Sequence, residues 1–149
     1  MAGTGTNISV VGGTLRIADY TTATSTGTYD FENYVDTSAV RRATVRVDFV
    51  VSRYSPELLL FDSIIGMFDS LPALFDDLSG GTAYDDINVV TLISTTNDDP
   101  AGTPTWSSYE VFVAGDYTAR AFRFRIILTS LAPNVTPSIT SLAASVQYN

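Results

Sequence analysis

The stretch ARAFRFRIILTS, residues 119–130, alternates large apolar and cationic side chains over its middle. In an extended strand successive side chains point to opposite faces, so Phe122, Phe124, Ile126 and Leu128 share one face and Arg123 and Arg125 the other. A helix would spread the same residues around its circumference. The segment therefore predicts a half-buried strand, one face in a core and one face carrying guanidinium groups. Arg on the outer face of a sheet ordinarily pairs with Asp or Glu on the neighbouring strand. That is the expectation for Arg120, Arg123 and Arg125, with an anion site for phosphate or sialic acid as the alternative.

Other segments follow the same period. In VRRATVRVDFVVSRY, Val45, Val47, Phe49 and Val51 point one way and Arg42, Thr44, Arg46 and Asp48 the other, giving a long half-buried strand. NISVVGGTLRIADY places Ile8 and Val10, then Leu15 and Ile17, on either side of Gly12-Gly13, which suggests two short strands or one bulged strand. Tyr29 and Phe31, INVVTLISTT, a short run ending at 114–116, and SITSLAASVQYN supply further strands, and NDDPAGTPTW at 97–106 reads as a polar turn. Eight or nine strands with turn signals at short spacing predict an all-β, antiparallel β-sandwich in one domain spanning 1–149.

Residues 54–84 interrupt that pattern. FDSIIGMFDSLPALFDD repeats Phe-Asp every seven residues and sets Phe61, Ile64, Phe68, Leu71 and Phe75 on one helical stripe. Gly66 and Pro72 oppose a continuous helix, because an interior Pro costs about 3 kcal/mol. The expectation is a short, partly helical insert around 58–79 that caps one end of the sandwich. A contact of that stripe with another subunit is the rival reading, and Ca²⁺ ligation by Asp62, Asp69, Asp76, Asp77, Asp85 and Asp86 stays open, although the spacing matches no EF-hand loop. No metal site is assigned.

Composition narrows the chemistry. Eight Arg against sixteen acids give a net charge of −8, with no Lys, His or Cys. Such a balance repels polyphosphate and argues against nucleic acid. Without His and Cys the usual Ser-His and Cys-His nucleophile pairs cannot be built, nor can a thiolate zinc site. A glycan depolymerase would have to use carboxylates such as Glu32 and Glu57, and no second motif supports one. Nothing approaches the roughly 20 apolar residues of a membrane helix. The chain reads as no enzyme, with no cofactor.

Residues 87–128 contain STTNDDPAGTPTWSS followed by VFVAGDYTARAFRFR, then LAPNVTPSITSLAASVQYN at 131–149, and TYDFENYVDTSAVRRATVRV lies upstream at 28–47. This succession resembles the distal domain of phage tail-tip proteins of the host-specificity protein J, or central tail fibre, family; GGTLRIAD at 12–19 is a fainter echo. At longer range the order of motifs is similar to discoidin-like, galactose-binding jelly rolls. The resemblance implies a jelly-roll module of a virion tail, working outside the cell, assembled with other tail-protein subunits as a homotrimer, and positioning the particle on the bacterial surface. It also implies that Trp106, after the polar turn, packs at a sheet edge.

A carbohydrate-binding module for lipopolysaccharide or capsule glycans is the second reading. Tyr20, Tyr54, Tyr84, Trp106 and Tyr109 are ring candidates for stacking on sugars, and Asn97, Asp98 and Asp99 could accept hydroxyl hydrogen bonds.

Overall fold

The computed structural model describes residues 3–56 and 86–148. They form nine strands: β1 (Gly3–Thr6), β2 (Ile8–Val11), β3 (Thr14–Ile17), β4 (Ser25–Phe31), β5 (Val35–Tyr54), β6 (Ile87–Thr96), β7 (Glu110–Val111), β8 (Gly115–Ser130) and β9 (Thr136–Tyr148). Every pairing is antiparallel. The all-β antiparallel expectation is met. The helical insert expected around 58–79, the stripe Phe61, Ile64, Phe68, Leu71 and Phe75, and Tyr84 lie outside the described residues.

Strand β8 is the spine. Along one edge it pairs with β4 and then β5, and along the other with β6, so that Asp30 and Leu92 both stand opposite Arg125. From β8 the sheet runs β1-β4-β8-β5-β9-β3-β2, with β7 added to β6. Its two ends, β1 and β2, are consecutive in the chain and separated by Asn7 alone. One sheet thus nearly closes into a barrel.

The closing corner is locally determined. Asn7 adopts a φ of 53°, a left-handed conformation that Asn tolerates better than most residues. Its side chain donates to the carbonyls of Thr26 (3.0 Å) and Asp19 (3.3 Å) and accepts from the Asp19 amide (2.8 Å), while its own carbonyl accepts from the Ala18 amide (3.0 Å). Gly27 on β4 lies directly beneath: a Cβ there would come within 2.6 Å of Ile8 Cδ1 and 2.7 Å of the Asn7 carbonyl oxygen. Between β2 and β3, Gly12 and Gly13 both take positive φ (59° and 79°), as a two-residue hairpin turn of primed type requires. This resolves the Gly12-Gly13 stretch as two strands.

The barrel is filled by two adjoining apolar clusters. Leu15, Ile17, Tyr29, Ile126, Leu128 and Ile139 form one, and Ala43, Val45, Ile93, Ala119, Phe122 and Phe124 the other. The expected inward residues of β8 are all buried, between 0% and 1% exposed. On β5 the expected apolar face fades along the strand: Val45 is fully buried, but Phe49 and Val51 are 36% and 37% exposed. Strand β1, Gly-Thr-Gly-Thr and exposed throughout, has no apolar period and was not foreseen.

Gly27→Ala is expected to destabilise the protein by about 1–3 kcal/mol, since the new methyl group meets backbone as well as a side chain. Urea denaturation measures this; an unchanged midpoint would contradict the close approach of the corner to β4.

Candidate functional site

The outward residues of β8 build the site. Arg125 stands opposite Asp30 on β4, and its Nε and Nη2 donate to the two carboxylate oxygens at 2.6 and 3.1 Å. Two residues along, Arg123 stands opposite Ser94 on β6, and its Nε donates to Ser94 Oγ at 3.1 Å. The two guanidinium groups lie side by side on the outer face because strand residues two apart share a face.

A loop between β6 and β7 lays two aromatic rings over them. It is fastened along β6: the Ser107 amide donates to the Thr95 carbonyl (2.8 Å), Ser94 Oγ to the Ser107 carbonyl (2.7 Å), and Thr96 Oγ1 to the Thr105 carbonyl (2.9 Å). The indole of Trp106 is brought 4.6 Å from the guanidinium carbon of Arg123, and the Tyr109 ring 4.9 Å from that of Arg123 and 4.2 Å from that of Arg125. Tyr34, on the turn between β4 and β5, also approaches Trp106, with ring centroids 6.3 Å apart. Together with Asp30 these residues line an open cleft of about 390 Å³, with exposed Glu32 at its rim.

Electrostatics within the cleft are tightly coupled. Burial pushes the Tyr109 phenol above its ordinary value; Asp30, whose carboxylate accepts a long hydrogen bond from that hydroxyl (3.4 Å), adds to the shift, and Arg123 and Arg125 oppose it. The hydrogen bonds with Asp30 hold Arg125 still more firmly protonated. What results is a set of aromatic faces, a fixed guanidinium and carboxylate acceptors: a surface suited to binding an amphipathic polar ring.

The residues expected from the sequence divide between roles. Trp106 and Tyr109 do meet in the cleft, and Trp106 is half-buried against Arg123 rather than standing clear of the sheet. Asp98 and Asp99 brace the turn instead: Asp98 accepts from the Thr105 amide (2.8 Å), and Asp99 accepts from the Ala101 amide and pairs with Arg120 (3.1 Å each). Asn97 is exposed beside them. Tyr20 and Tyr54 pack on each other elsewhere, with Arg16 over the Tyr54 ring at 3.6 Å. Ion pairing is observed for Arg120 and Arg125, as expected, but among the described residues no carboxylate pairs with Arg123. Tyr34 and Asp30 were missed as site residues. Alternation does place Asp30 opposite in sense to Tyr29 and Phe31, yet only the β4–β8 register brings it to Arg125.

No protein-family model, curated protein or solved structure matches this chain.

The raised phenol of Tyr109 has a consequence for stability. In the unfolded chain it loses its proton near pH 10, before the folded protein does, so its contribution is complete below that pH and is lost as the pH rises through the folded value. Tyr109→Phe is expected to flatten the alkaline fall in stability, read from unfolding midpoints between about pH 9 and 11; an identical slope in the variant would show that the phenol is not shielded.

Proposed function

We propose that this chain is a non-catalytic recognition module of a phage tail tip or central tail fibre. In this reading it works in the virion, outside the cell, assembled as a homotrimer with other tail-protein subunits, and contacts a glycan on the bacterial surface. The cleft formed by Tyr34, Trp106, Tyr109 and Arg123 is the observation that carries the binding role. The viral setting is supported by the succession of motifs at 28–47, 87–128 and 131–149. For the finer fold we propose a jelly roll of the galactose-binding kind; in support, the first apolar cluster packs β4 and β8 against β3 and β9, and Ala144 and Val146 of β9 pack on the second.

Binding rather than hydrolysis suits the carboxylates present. Asp30 is engaged by both ends of the Arg125 fork and by Tyr109, and so is poorly disposed to deliver a proton to a glycosidic oxygen. Glu32 stands exposed at the rim. Aromatic rings beside hydrogen-bonding groups instead match the two-sided character of a pyranose, whose ring faces are apolar and whose edge carries hydroxyls.

An array of lipopolysaccharide and capsule oligosaccharides tests the proposal. The protein is expected to retain a subset of them, and Trp106→Ala to weaken that binding by roughly tenfold or more with its circular dichroism spectrum unchanged. Retention of no glycan by the parent protein would reject the binding role.

A further inference from the structure

We infer that the cleft selects saccharides bearing a carboxylate, hexuronic or ulosonic acids in chemical class, and that Arg123 recognises that group. The inference rests on the glycan-binding reading of the cleft and adds the charge class of its ligand.

Arg123 is immobilised without being neutralised. Its two neighbours on β8 are held by acids, Arg120 by Asp36 and Asp99, and Arg125 by Asp30. Among the described residues Arg123 makes no ion pair, and its hydrogen bond to Ser94 occupies only Nε. Contacts with Trp106 and Tyr109 at 4.6 and 4.9 Å hold the side chain while the residue lines the cleft. Among the described residues nothing engages the two terminal nitrogens, which are thus left for an acceptor supplied from outside. A planar fork fixed by packing matches a carboxylate bidentately and loses little conformational entropy when it binds.

Charge balance favours a carboxylate over a phosphate. Asp30 and Arg125 compensate each other, so that among the described residues lining the cleft Arg123 and the exposed Glu32 are the charges without an ion-pair partner. With Glu32 the cleft is already neutral, so a bound monoanion leaves one excess negative charge, the smallest excess any anion can leave. A phosphate ester, carrying about −1.5 to −2, would be opposed by Glu32 and by the chain's net charge of −8. Because that net charge also disfavours long-range attraction of any anion, selectivity must come from the short-range contact. Glu32 at the rim can accept hydroxyl hydrogen bonds from the same sugar, and Tyr34 and Trp106 offer ring faces beside it.

Isothermal titration of the full chain decides this, using oligosaccharides containing glucuronate, galacturonate or sialic acid, each paired with its carboxyl-reduced counterpart. At least one carboxylated form is expected to bind about tenfold tighter than its reduced partner, as a charge-assisted bidentate contact implies. Arg123→Gln should bring the ratio of affinities for the carboxylated and reduced forms close to one, whatever its effect on either affinity alone. Arg123→Lys, which keeps the charge but loses the fork and is less disruptive to the sheet, should retain only part of the preference and carries the test if the Gln variant does not fold. Equal affinity for both members of every pair overturns the inference and leaves the glycan reading standing. Binding of no member overturns both. A preference undiminished in both Arg123 variants assigns the carboxylate to another residue and overturns the role given to Arg123.

Discussion

The structure depends on strand β8 being paired along both edges while keeping strict alternation. Three strands hydrogen-bond to it, which fixes its orientation, and its period of two then divides its side chains between interior and exterior. Phe122, Phe124, Ile126 and Leu128 go to the core, where burying each contributes about 1.5–3 kcal/mol. Arg123 and Arg125 go to the cleft. Core and site are therefore two faces of one element, and a shift of register by one residue would place arginines in the core and phenylalanines in the cleft.

Near-closure of the sheet brings its two end strands, β1 and β2, together at one corner instead of leaving them as distant open edges. It is achieved at Asn7, where a single residue turns the chain from β1 to β2 and the side chain ties that corner to Asp19 and Thr26. The corner is held by polar groups and close backbone contact rather than by apolar burial, since β1 contains only Gly and Thr. Apolar packing fills the barrel, and hydrogen bonding at Asn7 holds its two ends together.

Arginine has distinct uses on this surface. Arg42, Arg53, Arg120 and Arg125 each pair with an aspartate, and Arg16, Arg41 and Arg123 lie against aromatic rings. The exposed pairs, such as Arg42 with Asp116, contribute little to stability by themselves. Their effect is to neutralise half of the chain's eight cations locally, among the described residues. Like Arg16 and Arg41, Arg123 has no aspartate partner among the described residues, but of these three it is the one that lines the cleft, and this, more than the number of tyrosines, gives the cleft its chemical character.

Much of the architecture was legible without coordinates. Alternation in residues 119–130 and 45–51 marked two long strands, Gly12-Gly13 left two short strands or one bulged strand open, and the absence of His and Cys limited the available chemistry. Strand β1 was not legible, because its Gly-Thr repeat carries no apolar period. Nor was the division of labour around 97–109, where Asp98 and Asp99 serve the turn and Trp106 and Tyr109 serve the cleft. Side-chain periodicity is a local property, so the sequence by itself determined which residues face inward along β8, and along β5 as far as Val45 but not at Phe49 and Val51. Which strands lie side by side, and hence that Asp30 meets Arg125 while Arg123 is left beside Trp106 without an acid, was decided only by the tertiary structure, because inter-strand register joins residues almost a hundred positions apart through backbone hydrogen bonds that are the same for every amino acid.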